Sequence, residues 1–192
     1  MAIVFPRRGE DGKPRYSVFA RCHLNESAVM AARNPSYPGW ANSGALVVTP
    51  GDETDFGRIE GELRELCGRF RVEPVGTDPW QAAHLSQRLR AEGVPMFDFR
   101  TTTQNLSPAI NELDAAMRSG RLAHDGNPVL AWCIGNVVGR DDRRGDLFPA
   151  KARGNKIDAA AALIMAVGRC QAAEAEAALG DRASFPTDPL FA

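Results

Sequence analysis

A short apolar run covers residues 2–5, and residues 15–22 alternate, with Tyr16, Val18 and Ala20 on one face. The stretch between them is rich in Gly, Pro and charge, so the pair reads as a β-hairpin. Asn25 is placed to cap a helix over residues 26–33, which Pro35, Pro38 and Gly39 end, with Trp40 in the turn that follows. Residues 45–49 (ALVVT) read as a strand closed by Pro50-Gly51. Asp55 opens a helix reaching about Phe70, on which Phe56, Ile59, Leu63, Leu66 and Phe70 recur at helical spacing. A strand over residues 72–77 follows, then a helix from Asp78-Pro79 to about Glu92. Gly93 stops that helix, and residues 94–99 form another strand. This β-α-β-α-β order predicts an α/β fold with parallel pairing and right-handed crossovers.

Downstream, Ser107 as cap and Pro108 as first helical residue predict a helix to Ser119, ended by Gly120. Residues 127–138 read as strand-like around Gly135, and residues 139–155 as a polar, basic, Gly-containing loop. An Ala-rich helix spans about residues 156–179. The expected division is one domain over 1–180 and a loose tail over 181–192, and no internal repeat is present.

Composition adds mainly exclusions. A chain of 192 residues, 44% hydrophobic, can bury a core without staples. Its formal net charge of -1 gives no argument for nucleic-acid binding, so any such contact must come from a local basic patch. Cys22, Cys67, Cys133 and Cys170 form no C-x-x-C pair, which predicts reduced, mostly buried thiols. No apolar run approaches the roughly 20 residues of a membrane span, and the N-terminal apolar stretch is too short for a signal peptide. A cytoplasmic protein is expected.

The chemistry-bearing motifs are few. There is no phosphate loop, no G-x-G-x-x-G after a strand, no H-E-x-x-H and no G-x-S-x-G. His23, His84 and His124 sit in unrelated contexts. Asp78 lies at the carboxyl end of an expected parallel strand, where ligands and metals bind in α/β sheets, yet Asp before Pro also caps helices. Asp158 lies in the first turn of the last helix, where an acid suits the helix dipole and Asn155 can serve as cap. Arg140, Arg143, Arg144, Lys151, Arg153 and Lys156 precede it, diluted by Asp141, Asp142 and Asp146. Cations that hold phosphates beside carboxylates that hold Mg²⁺ or Mn²⁺ would suit phosphodiester cleavage. Trp80 and Trp132 read as core or site-wall residues. Asp52, Glu53 and Asp55 read as a loop and helix start.

Three stretches together carry a family resemblance: GTDPWQAAHLSQRLRAEGVPMFDFR (76–100), LSPAINELDAAMRSGRLAHDGNPVLAWCIGNVV (106–138) and KARGNKIDAAAALIMAVGR (151–169). In this order they resemble the C-terminal nuclease domain of the large terminase subunit of tailed bacteriophages. The resemblance implies a ribonuclease H-like fold, with a mixed central sheet flanked by helices. It implies a metal-dependent endonuclease, using Mg²⁺ or Mn²⁺, that cuts concatemeric viral DNA during packaging. Implied partners are double-stranded DNA, the portal and the small terminase subunit, in the cytoplasm of a bacterial host.

Two of the family's three metal-binding acids carry over, as Asp78 in D-P-W and Asp158 in K-I-D. The third belongs to a first, central strand upstream of the one matching residues 2–5, and no acid of this chain matches it. Asp11, Asp52 and Asp55 are available, but nothing nominates one. The absent phosphate loop agrees with an absent ATPase domain. The chain is therefore expected to be a fragment, a truncated prophage version or a shortened protein, weak or inactive alone. The alternative is a non-catalytic binding or oligomerisation module of the packaging machinery, self-associating through an unpaired strand edge.

Overall fold

The structure, a computed structural model, describes residues 1–31, 34–80, 82–152 and 155–183, the last five as backbone only. Arg153 and the greater part of the expected tail, 184–192, lie outside the described residues.

The expected N-terminal hairpin forms. Strands β1 (Ala2–Arg8) and β2 (Pro14–Ala20) pair antiparallel, and the far edge of β2 pairs in parallel with β7 (Leu122–His124), a strand the sequence pattern did not signal. Tyr16, Val18 and Ala20 are buried together, as the alternation predicts. A short strand β3 (Cys22–Asn25) pairs in parallel with β4 (Leu46–Thr49), and β5 (Val75–Thr77) pairs in parallel with β6 (Met96–Asp98). The mix of parallel and antiparallel pairing is the one expected.

Several helices keep their predicted caps. Asn25 Oδ1 accepts from Ala28 N at 2.7 Å to open α1 (Glu26–Ala31). Asp55 Oδ1 accepts from Arg58 N at 2.9 Å to open α3 (Phe56–Arg69). Trp40, expected in a turn, instead belongs to a helix, α2 (Tyr37–Asn42), and packs with Tyr37 and Trp132 in an aromatic cluster.

Other readings are corrected. Helix α4 (Ala83–Ala91) begins five residues after Asp78, so neither Asp78 nor Pro79 opens it. Helix α5 (Thr103–Arg118) starts at a Thr102 cap, with Pro108 inside it and Ser107 buried. Ser107 Oγ accepts from Leu147 N at 3.0 Å instead, tying the helix to a strand that packs on it. Residues 127–138 hold a helix, α6 (Pro128–Gly135), because Asn127 Oδ1 accepts from both Val129 N and Leu130 N while Pro128 takes the first turn. Its apolar run, VLAW-C-I, has no period that separates strand from helix. The supposed basic loop is a hairpin, β8 (Val137–Asp141) with β9 (Leu147–Lys151). Asp142 Oδ1 accepts from Arg144 N and Asp146 N, and Gly145 supplies the positive φ that closes the turn.

Helix α7 (Asp158–Ala183) runs past the expected end of the domain. Residues 159–168 carry no polar side chain on any side, which marks this part of the helix as a central element. Its Ala160, Leu163, Ile164 and Val167 are buried against α5, α6 and the inner face of β1 and β2. Arg121, almost buried, fastens α5 to β2: its Nη1 donates to Glu112 Oε1 at 2.6 Å and to the Pro14 carbonyl at 2.7 Å. A second, smaller core gathers Leu63, Leu85 and Leu89 from α3 and α4 against β5 and β6. Among the described residues, no helix is long and apolar enough to cross a membrane.

Candidate active site

The two cores leave a cleft of about 640 Å³ between them. Helix α7 lines it with Ala161, Ala162, Met165 and Ala166, and α3 lines it with Leu63, Leu66 and Cys67. Its remaining walls are two strands. Residues 1–6 of β1 and 70–78 around β5 all line it consecutively. Successive side chains of a strand point to opposite faces, so a cleft against a face touches alternate residues. Consecutive contact means that the edges of β1 and β5 face the cleft. Among the described residues neither edge has a strand partner there.

Asp78 and Asp158 both line this cleft. Asp78 is half-buried at the carboxyl end of β5, and its Oδ1 accepts from Trp80 N at 3.0 Å. This local turn fixes the carboxylate just beyond the strand, a role different from the helix cap that the sequence allowed. Asp158 is exposed as the first residue of α7, and it is delivered there by the β8–β9 hairpin and by Asn136, whose Nδ2 donates to the Lys156 carbonyl at 3.0 Å. Asp158 also faces the N-terminus of the chain. Burial pushes the Met1 ammonium below its usual range, opposed by the nearby charges of Cys22, Glu62 and Asp158.

The direction of the cleft follows from two anchors. Met1 lies by Asp158, and Arg8 Nη2 donates to Glu174 Oε1 at 2.9 Å. Seven strand steps and sixteen helical residues each cover roughly 24 Å. Strand β1 and helix α7 therefore run side by side in the same direction, with Asp158 at the Met1 end.

Other expected site residues fall elsewhere. Arg140, Arg143, Arg144 and Lys151 are exposed on the hairpin and Lys156 follows it; none of them lines the cleft. None has an ion-pair partner among the described residues, although Asp141, Asp142 and Asp146 share the hairpin with them. The cations in the cleft are Arg71 and Arg169, which spacing did not nominate. Arg169 stacks over Phe97 at 5.0 Å and reaches Glu176 at 3.2 Å, while its Nε is buried without a partner. Asp11, Asp52 and Asp55 do not line the cleft. Glu73 does, paired with Arg71 at 3.2 Å. Thr77, beside Asp78, has a buried hydroxyl without a hydrogen-bond partner. Trp80, expected in the core or a site wall, is 91% exposed; Trp132 is half-buried as expected.

The fit to a metal is one of kind more than number. Asp78, Asp158 and the Thr77 hydroxyl are hard oxygen donors, suited to Mg²⁺ or Mn²⁺. Among the described residues, however, no three His, Cys, Asp or Glu side chains gather closely enough to hold an ion.

Comparison with known proteins identifies the family. The family described as "Terminase large subunit, endonuclease domain" matches residues 6–174. Protein YmfN of Escherichia coli K12 is 42% identical over 172 residues, covering 86% of this chain and 36% of that protein. The large terminase subunit of Enterobacteria phage HK97 is 30% identical over 158 residues, covering 80% of this chain and 31% of that protein. The crystal structure of the HK97 large terminase superposes with a TM-score of 0.74 at 27% identity, covering 87% of this chain and 36% of that one. The large terminase nuclease of thermophilic phage G20c, at 15% identity and a TM-score of 0.50, shares the fold. The chain spans about a third of the length of the curated relatives it matches. With the family model matching residues 6–174 and the fold and motif order agreeing, the chain belongs to the terminase large subunit endonuclease domain family.

Proposed function

We propose that the cleft is a metal-dependent DNA endonuclease site in which Asp78 and Asp158 hold a divalent cation, Mg²⁺ or Mn²⁺. The observation that carries this reading is that two acids eighty residues apart in sequence line one cleft at the end of a strand and the start of a helix. A bound ion would supply the charge that activates water and stabilises the leaving oxygen. The chain's own contribution is to hold Asp78 in its turn with Trp80 and to hold Asp158 at the head of a buried helix. The basic hairpin, with Arg140, Arg143, Arg144, Lys151 and Lys156, would grip the phosphates of double-stranded DNA. The substrate on this reading is concatemeric viral DNA in a bacterial host, with the portal and the small terminase subunit as partners.

Two carboxylates form an incomplete set, so cleavage by the chain alone is weak or absent. Plasmid incubated with the chain in Mn²⁺ or Mg²⁺ is expected to show little nicking, and that little should vanish in Asp78→Asn and Asp158→Asn. Calorimetric titration with Mn²⁺ should show weak binding that either substitution removes. Cleavage at ordinary rates that Asp158→Ala abolishes would contradict the incomplete set. Metal binding untouched by both substitutions would sink the assignment of these two acids.

The paired open edges of β1 and β5 favour a second reading beside the first. On it the chain is a non-catalytic module that self-associates, one copy filling the cleft of another by strand exchange.

A further inference from the structure

The outer face of the β1–β2 sheet is the one that α5 and α7 do not cover. In the register, Ile3 opposes Phe19, Phe5 opposes Ser17 and Arg7 opposes Arg15, and directly opposed residues share a face. Phe5 and Phe19 are each about two-fifths exposed there, with ring centroids 5.9 Å apart and edge to face. Phe70, at the end of α3, extends the group, 5.2 Å from Phe5 and similarly exposed, with the Arg69 guanidinium 5.4 Å above its ring. Three aromatic side chains therefore form one continuous exposed surface.

Guanidinium groups predominate around it. Arg7 and Arg69 have no carboxylate partner among the described residues, and Arg15 has only a 3.9 Å approach to Asp11. Like charges placed directly opposite on a sheet destabilise it, yet Arg7 and Arg15 occupy that arrangement. An anion between them would relieve the repulsion. Aromatic faces flanked by guanidinium groups, those of Arg7 and Arg69 without a carboxylate partner among the described residues, match the requirements of an unpaired nucleic-acid strand, whose bases stack and whose phosphates need cations.

We propose that this face binds single-stranded nucleic acid, with bases stacked on Phe5, Phe19 and Phe70 and phosphates held by Arg7, Arg15 and Arg69. The face adjoins the cleft, whose wall includes Phe5 and Phe70, but Phe5 lies four strand steps, roughly 14 Å, from its Met1 end. It does not depend on a metal, and it adds an unpaired strand to the duplex contacts proposed for the hairpin.

The test is fluorescence anisotropy of labelled (dT)20 and of a duplex of equal length, titrated with the whole chain in EDTA. Phe5→Leu and Phe19→Leu keep apolar area but remove the stacking face. Each should weaken (dT)20 binding about fivefold or more, and Phe19→Leu, which lies outside the cleft, should leave duplex binding unchanged. Arg7→Gln should lower the slope of log affinity against log salt by about 0.7. Being exposed, it serves as the check if an aromatic variant loses its thermal transition. Asp78→Asn and Asp158→Asn should leave (dT)20 affinity as it was, so that failure of the nuclease reading and failure of this one are distinguishable. No binding of (dT)20 by the wild-type chain would overturn the proposal, as would unchanged affinity in the Phe5→Leu/Phe19→Leu double variant. So would a double variant that alters only the mass seen by light scattering, since the face would then serve contacts between proteins.

Discussion

Glu62 sits on α3 between Arg58 and His23, whose Nε2 lies 3.1 Å from its Oε2. Burial pushes its carboxyl up, but the guanidinium and the imidazole together outweigh burial and hold it below the usual carboxylate range. A group depressed in the folded state contributes stability that is complete above its unfolded value and lost as pH falls through the folded one. Thermal melts from neutral pH down through the carboxylate range should therefore show a steeper loss for wild type than for Glu62→Gln. Equal slopes would remove this carboxylate from the acid-side account. The same scale shows what sequence could and could not say about the candidate site. Asp78 and Asp158 were legible as acids at element ends, and the motifs around them raised their weight. Whether Asp78 caps a helix was not legible, because Asp-Pro serves a cap and a turn equally well. The main chain decided it by delaying α4 to Ala83. His124 is a similar case: its Nδ1 accepts from Gly126 N at 3.0 Å, a purely local turn contact.

At the scale of elements, the crossing of α5 and α7 depends on Gly168. A Cβ there would lie 3.3 Å from Ala109 Cβ and 3.3 Å from two ring carbons of Phe99. Gly168→Val should cost about 1–3 kcal/mol by overpacking, read as a lower urea midpoint. For Gly168→Ala, the gain in helix propensity of about 1 kcal/mol opposes a milder squeeze. A valine variant as stable as wild type would show that the two helices can part without loss. Helices with periodic faces and side-chain caps, such as α1 and α3, were readable because the signals are local. Helix α6 and the β8–β9 hairpin were misread for a common reason. A short apolar run carries no period of its own, and charged residues on an exposed hairpin hide the alternation of Val137, Leu147 and Pro149 toward its inner side.

Across the whole molecule, the cleft between the two cores governs behaviour. Its walls include the open edges of β1 and β5, and open edges recruit strands. At high concentration the chain should self-associate, with weight-average mass by light scattering rising above that of a monomer. Replacing Val4 in β1, whose N–H points away from β2, with proline removes a donor from the open edge and should shift that mass back. A clean monomer at high concentration would dismiss strand exchange. The sequence by itself determined the α/β class, the N-terminal hairpin, the capped helices and the family, because these rest on periodicity, local hydrogen bonds and motif order. Only the tertiary structure decided that Asp78 and Asp158 share one cleft, that Arg71 and Arg169 and not the basic hairpin line it, and that Phe5, Phe19 and Phe70 meet on one face. Those are long-range juxtapositions, set by how strands register and helices pack, and no local pattern encodes them.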